Sequence, residues 1–297
     1  MQIETLKVYC DLIETASFSQ SAKINGVTQS AVSQQIRSLE SKFDVTLIER
    51  GKKNFSMTPE GKVFLEAARS ILEIFNGIGD SFQELQDRVA GSLRVATVFS
   101  LGLHELPPIV KQYRGRFPEV ELKVDYLRSN QVYTEVVEGR ADLGIVAYPA
   151  KRKGVVVEEF AQDQLVCICP PEHELASQNG IRLKDLGGRK FIAFEPDLPT
   201  RKAVDRALRA ANVTIEREME FDNIETVKRA VEVENALSIV PKRSVVGELK
   251  GGTLVALEIQ SKDMWRPLGI VQKRTRATSP AMREFTDLLK TGLDSEE

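Results

Sequence analysis

The chain has little of what catalysis, metal binding or a disulfide scaffold requires. Its 297 residues include two histidines, His104 and His173, and three cysteines, Cys10, Cys167 and Cys169. Neither histidine sits in a metal-spaced cluster. Cys167-x-Cys169 falls in an apolar run with no further Cys or His nearby, so buried core thiols are expected there, not a zinc site. An odd cysteine count does not suit a disulfide framework. Gly-x-Ser-x-Gly, the P-loop and the dinucleotide fingerprint are all missing. No catalytic residue, metal or cofactor is therefore expected, and no enzyme. No apolar run approaches the ~18 to 20 residues needed to span a bilayer. The opening stretch MQIETLKVYCDLIE spreads its charges and lacks the apolar core of a secretory signal, so a cytoplasmic protein without membrane contact is expected. Internal repeats and low-complexity tracts are missing too. A net charge of −2 gives no whole-chain sign of a nucleic-acid partner.

What is present is ordinary globular material, 42% hydrophobic and 28% charged, in a chain long enough for two or three domains. In the first 58 residues seven bases face six acids, so any DNA-binding role there must come from the placement of charge. Ile3, Leu6, Tyr9, Cys10 and Ile13 recur at helical spacing. A short helix follows over about 19–25, Gly26 supplies a turn, and Thr28 is placed to cap a third helix. That third stretch, TQSAVSQQIRSLE, buries Val32, Ile36 and Leu39 on one stripe. Its other side is dense in short polar groups: Thr28, Gln29, Ser30, Ser33 and Gln34, with Arg37 further along. A helix needing only solubility would use Lys and Glu. Helix, short helix, Gly-containing turn and third helix make the helix-turn-helix order, whose third element places its first residues against base edges. Gln suits adenine, Ser several edges, Arg guanine or phosphate. Taken alone, the segment fits a solvated face equally well. VTLIERGKKNFSMTPEG then reads as a hairpin with a basic tip, a wing whose Arg50, Lys52 and Lys53 would add salt-sensitive affinity for phosphates.

With these segments in order, the chain resembles the LysR-type transcriptional regulators. The resemblance rests on LKVYCDLIETASFSQSA, VTQSAVSQQIRSLE, the LIERGKKNFSMTPEG wing and the overall length. Two departures stand out. The family usually carries leucine where Asn25 stands, so Ile24 or Val27 is expected to fill that core position. It often carries Phe-x-Arg where this chain has Ile48-Glu49-Arg50.

Thr58-Pro59-Glu60 opens a long helix, with a cap, a first-turn proline and an acid at the positive end of the dipole. Phe64, Ile71, Ile78 and Leu85 repeat every seven residues, as do Ala68, Phe75, Phe82 and Val89. This is an a/d seam over about four heptads, interrupted midway by Gly77 and Gly79 and ended by Gly91. Packing on its own domain is the alternative; the resemblance favours a dimer-forming linker helix, and implies homodimers that pair into homotetramers.

From Ser92 the periodicity changes to strands alternating with helices: SLRVATV, a helix over about 102–117, VELKVDYL, a helix over 131–138, ADLGIVAY, then a second α/β set and a late return. This implies a parallel sheet with right-handed crossovers and a two-lobed solute-binding architecture like that of the family's effector domain. The expected organisation is a winged helix-turn-helix DNA-binding domain (1–58), a linker helix (59–90), lobe I (92–161 plus 267–293) and lobe II (162–266). Helix N-termini should converge on the cleft between lobes and suit a small anion or carboxylate. Ser100, Gly102, Leu103, Ser129, Asn130, Thr200 and Arg201 are the expected effector-binding residues. Ser and Thr at such positions are also ordinary helix caps. A solute-binding or metabolite-converting protein on the same fold would need neither the seam nor the winged unit, and an architectural DNA protein would need no effector. The expected function is thus a sequence-specific DNA-binding transcriptional regulator that responds to a small anionic effector.

Overall fold

A computed structural model describes residues 2–50, 55–86 and 88–294. The chain divides into two compact units, Met1–Arg88 and Val89–Glu297.

The first unit is built by α1 (Ile3–Thr15), α2 (Phe18–Ile24), α3 (Gln29–Phe43), β1 (Ile48–Arg50), β2 (Phe55–Met57) and α4 (Pro59–Leu85). Local chemistry sets each boundary. Ala16 takes a left-handed conformation after α1, and the Ser17 hydroxyl accepts from Gln20 N at 3.3 Å to start α2. Gly26, at φ 64°, turns the chain toward α3. Thr28 Oγ1 accepts from Ala31 N at 3.2 Å. Tyr9, Leu12, Val32, Ile36, Leu39, Leu47 and Ile48 form the core, each of these buried side chains worth about 1.5–3 kcal/mol. Ile48 is thus buried at the position where the family often carries phenylalanine. The Asn25 departure resolves differently from expectation: Ile24 and Val27 are both exposed. Asn25 itself is half-buried, donating Nδ2 to Asp11 Oδ2 at 2.7 Å and to Ser21 O at 2.9 Å. A polar lock replaces an apolar plug.

The α4 helix runs unbroken past Gly77 and Gly79 but stops at Leu85, short of the expected residue 90. Val89 is therefore not in its seam; it packs against the core of the second unit. Ala68 is buried and Phe64 packs on the first unit's own core, with Phe64 edge-on to Tyr9 at 5.0 Å. At these two positions the helix covers its own domain.

The second unit begins with β3 (Gly91–Val98), α5 (Phe99–His104), α6 (Leu106–Arg116), β4 (Val120–Leu127), α7 (Ser129–Val137) and β5 (Leu143–Ala147). Where a single helix over 102–117 was expected there are two. Pro107 and Pro108 lack amide hydrogens and cannot continue α5, so the chain restarts at Leu106. The remaining elements are β6 (Val155–Cys169), β7 (Gly180–Ile181), β8 (Lys190–Phe194), α8 (Pro199–Ala210), β9 (Glu216–Phe221), α9 (Ile224–Glu234), β10 (Ser238–Pro241), α10 (Val246–Gly251), β11 (Val255–Ile259), β12 (Trp265–Lys273) and α11 (Pro280–Asp294).

The main sheet has the order β4-β3-β5-β12-β6-β11-β7, with β10 also on β6; β8 and β9 form a parallel pair. β3 is parallel to β4 and β5, whereas β12 runs antiparallel to β5 and β6. The first ten residues of β6 pair with β12 and its last five with β10 and β11. Two cores cover the faces of the first half, around Leu93, Tyr113 and Phe285 and around Val132, Val136 and Val146. Two others surround Leu165, Phe191 and Leu257, and Ile192, Val227 and Val240. The unit is therefore two α/β lobes joined by shared strands, with β6 and β12 crossing between them.

Candidate functional site

In the first unit, α3 separates its two faces cleanly. Val32, Ile36 and Leu39 are buried; Thr28, Gln29, Ser30, Gln34 and Arg37 are exposed, and Ser33 is half-buried. The Thr28 hydroxyl is committed to the cap and lies 2.9 Å from Ser30 Oγ. Gln29 Oε1 accepts from Ser19 Oγ at 3.3 Å, which leaves its amide hydrogens outward. Arg50 lies in β1 opposite Phe55. Its side chain, with Lys52 and Lys53, lies outside the described residues.

In the second unit a cavity of about 110 Å³ opens between the lobes. Its walls come from the first strand–helix turn (Val98, Phe99, Ser100), the second (Leu127, Arg128, Ser129) and the end of β5 (Ala147). The other lobe contributes Phe194, Leu198, Pro199 and Thr200, then Asp222, Asn223, Ile224 and Pro241, while Arg266 lies on the crossing strand β12. Three helices of nine or more residues, α7, α8 and α9, start on this wall. Their first amides lack intrahelical partners and carry partial positive charge. Asn223 uses its own side chain to cap α9, accepting from Glu225 N at 2.8 Å.

Of the expected effector residues, the structure brings Ser100, Ser129 and Thr200 together on this cavity and leaves the other four off it. Gly102 is a packing residue: an added Cβ would lie 2.4 Å from the Tyr126 ring. Leu103 is exposed, as is Asn130. Arg201 corrects the expectation most sharply. It is 6% exposed and donates to Phe194 O at 2.5 Å, Asp205 Oδ2 at 2.9 Å and Glu220 Oε1 at 2.8 Å. Its charge is satisfied inside its own lobe, by an acid one turn along α8 and another on β9.

The charges on the cleft come from residues outside that expected set. Arg128 reaches across to three carboxylates of the other lobe, Asp222 at 2.6 Å, Glu195 at 3.0 Å and Asp197 at 3.3 Å. His104 Nε2 sits 2.8 Å from Glu225 Oε1, its pKa lowered by burial and by Lys228 against the pull of Glu225. Arg266 is 1% exposed and holds Glu105 Oε1 at 2.9 Å, Asp163 Oδ2 at 2.7 Å and Ser100 Oγ at 2.9 Å. The sequence did carry a signal for this last group: an arginine within WRPLGIVQ and an aspartate just before LVCIC are charges inside otherwise apolar strands. The thiols play no part here, since burial pushes Cys10 to about 12 and Cys169 to about 11 and raises Cys167 further still. Among the described residues no helix is long and apolar enough to cross a membrane.

A helix-turn-helix with a hairpin wing, followed by a two-lobed domain with a cleft, defines a DNA-binding regulator carrying an effector-binding domain. Residues 3–62 match the bacterial regulatory helix-turn-helix protein, lysR family, and residues 86–294 match the LysR substrate binding domain. The chain belongs to the LysR family of transcriptional regulators. Among its relatives, a probable RuBisCO transcriptional regulator of Cyanophora paradoxa is 26% identical over 295 residues, covering 97% of this chain and 91% of that one. An uncharacterized HTH-type transcriptional regulator of Methanocaldococcus jannaschii is 29% identical over 279 residues, covering 93% and 94%. In structure, a full-length OxyR variant from Pseudomonas aeruginosa shares the fold with a TM-score of 0.81 at 20% identity, over 99% of this chain and 95% of that one. Full-length CbnR complexed with its target DNA has a TM-score of 0.67 at 19% identity, over 98% and 100%. The Synechocystis CcmR regulatory domain in complex with 2-PG has a TM-score of 0.63 at 22% identity, over 69% and 99%.

Proposed function

We propose that this regulator reads a specific DNA sequence with α3, works as a homodimer that pairs into tetramers, and responds to a small anion held between its lobes. The observation that carries the anion reading is the cavity wall itself. Ser100 and Ser129 from one lobe and Thr200 from the other line a single space on which three helix N-termini open. The rest of the wall is mostly apolar, and its charged members Arg128, Asp222 and Arg266 are already paired within the protein, so a carboxylate or similar head with a compact apolar body fits best. The CcmR domain with 2-PG and the CbnR complex with DNA support the same division of labour. An effector that touches both lobes favours one lobe geometry over another, and its binding energy shifts that population.

For DNA, Gln29, Ser30, Ser33 and Gln34 stand as base-reading residues, while Arg37, Arg50, Lys52 and Lys53 stand as phosphate or guanine partners. For the dimer, the exposed run Ile71, Phe75, Ile78, Phe82 and Leu85 leaves a large apolar stripe on α4 that a second copy would cover. The test of the effector reading is a thermal-shift screen of the full chain with sulfate, phosphate and small carboxylates. Stabilisation should grow with concentration and shrink in Ser100→Ala and Thr200→Val. Stabilisation by neutral or cationic compounds alone would remove the anion reading and leave the regulator intact.

A further inference from the structure

Ser100 does not stand alone in the cleft wall. Its Oγ accepts from Arg266 Nη1 at 2.9 Å, and an arginine only donates, so the one hydroxyl proton of Ser100 is left for the cavity. Arg266 also holds Glu105 and Asp163, and all three side chains are 1–2% exposed. They come from three elements. Arg266 and Asp163 sit directly opposite each other on the crossing strands β12 and β6, and Glu105 lies at the junction of α5 and α6. Two carboxylates against the one fully buried guanidinium leave an excess of negative charge beneath a site that is to receive an anion. The half-buried Arg243, which donates to Leu293 O at 2.7 Å, offsets it in part. Among the described residues, Arg266 Nε and Glu105 Oε2 have no hydrogen-bond partner. A carboxylate oxygen buried without a donor is costly, and protonation there removes the cost.

The groups facing Glu105 are Arg266 on β12, Asp163 on β6 and Arg243 on the turn after β10. Burial pushes the Glu105 carboxyl up to about 7, Asp163 adding to the rise while Arg266 and Arg243 oppose it. Tyr148, beside Arg266 and Asp163, is pushed by burial to about 12 and stays neutral.

We propose that Glu105 is a proton-exchanging positioning residue for the cleft: an anion binds beside Ser100 together with one proton from solvent, which settles on Glu105 Oε2. The inference rests on the anion reading above. With the proton in place Asp163 is balanced by Arg266, Arg266 keeps its grip on Ser100, and no excess negative charge of this cluster opposes the ligand. Anion affinity then rises as pH falls, by up to about tenfold per pH unit where one proton accompanies each ligand.

Isothermal titration of the full chain with sulfate and with benzoate tests this, from about pH 6 to 8.5 in two buffers of different ionisation heat. The expected result is uptake of about one proton per anion near pH 8 and weaker binding as pH rises. Glu105→Gln, which can still accept from Arg266, should bind the same anions with no proton uptake and a flat pH profile. His104, next to Glu105 in the chain and paired with Glu225, is the control, and His104→Gln should keep the wild-type slope. Anion binding without proton uptake, or a slope that persists in Glu105→Gln, overturns the proposal and leaves the anion site standing. If neither anion binds even at the lowest pH, the anion reading falls and the proposal with it. Should Glu105→Gln fail to fold, the proton count in the wild type and in His104→Gln decides the matter.

Discussion

The polar face of α3 and the polar wall of the cleft hold their functional groups in opposite states. On α3, Gln29, Ser30, Gln34 and Arg37 are exposed, and all lie within ten residues of one another on a helix whose far side is anchored by Val32, Ile36 and Leu39. In the cleft, both guanidinium groups are already committed, Arg128 to three acids and Arg266 to two acids and Ser100. The proposed reading face makes short-range contacts, Gln29 with Ser19 and Ser30 with Thr28, and relies on the helix for the position of its groups. A cavity for one ligand has its cations neutralised beforehand, so recognition falls to hydroxyls and backbone amides. The first should be strongly salt-dependent and the second much less so.

Removing the buried cation should break the cleft outright. Arg266→Met leaves Glu105 and Asp163 buried with only the half-buried Arg243 nearby as a counter-charge, and a loss of about 3–5 kcal/mol is expected in urea unfolding of the second unit. The same cluster sets a pH dependence of stability. The Glu105 carboxyl lies at about 7 when folded, against an ordinary value of 4.5 for the unfolded chain, so the folded state binds more protons between those limits. The stability it contributes is complete below about 4.5 and is lost as pH rises through 7, at no more than about 1.4 kcal/mol per pH unit. Glu105→Gln should flatten that slope; an unchanged slope would assign it to other groups.

The next largest effect belongs to α4. Phe75→Asp with Ile78→Asp places charges on the exposed apolar stripe, and sedimentation should show monomers. Affinity for a two-half-site operator should then fall on the order of 10²–10⁴ as the linked second half-site is lost. An intact dimer in this double variant would mean that the stripe is covered some other way.

These two variants also mark what the sequence made visible. Helical and strand periods are local, so the winged unit and the alternating α/β order could be read directly. The seven-residue repeat was equally visible. Yet Phe64 and Ala68 turn into their own domain's core and Val89 falls beyond the helix, because a repeat states which residues share a face and not what covers it. In the cleft, Ser100, Ser129 and Thr200 were legible as polar residues at strand–helix turns. Arg201 fitted that pattern too and turned inward, since Asp205 and Glu220 offered partners that only the folded lobe brings together. Glu105, Asp163 and Arg266 meet across 161 residues of chain, a pairing that local spacing does not encode.

On the α3 side of the comparison the expected effects are smaller and additive. Gln29→Ala and Ser33→Ala should each reduce discrimination between target and scrambled duplexes by about 1–3 kcal/mol, with fold and dimer unchanged. Unaltered discrimination in both would move base reading to other residues of the helix. Arg37→Ala, further along α3, should instead weaken binding to all sequences alike and lower the salt slope by about one.

Arg128 gives the smallest expected effect and the finest test of the contrast. It stands at the cavity, where an arginine would ordinarily be read as the ligand's own counter-charge. Its guanidinium, however, bridges Asp222, Glu195 and Asp197 of the other lobe, and the four side chains are 37–62% exposed. Water and salt screen such a group, so it tethers the lobes weakly and has little charge left for an anion. Arg128→Gln should leave the unfolding midpoint almost unchanged and weaken anion binding by less than about tenfold, with the difference shrinking as ionic strength rises. The three acids, freed from their counter-charge, then favour a more open cleft, which small-angle scattering would register as a slight expansion reversed by salt. A loss of a hundredfold or more, insensitive to salt, would instead make Arg128 the direct partner of the ligand. The cleft would then hold an available cation just as α3 does, and the contrast between the two surfaces would fail at that point.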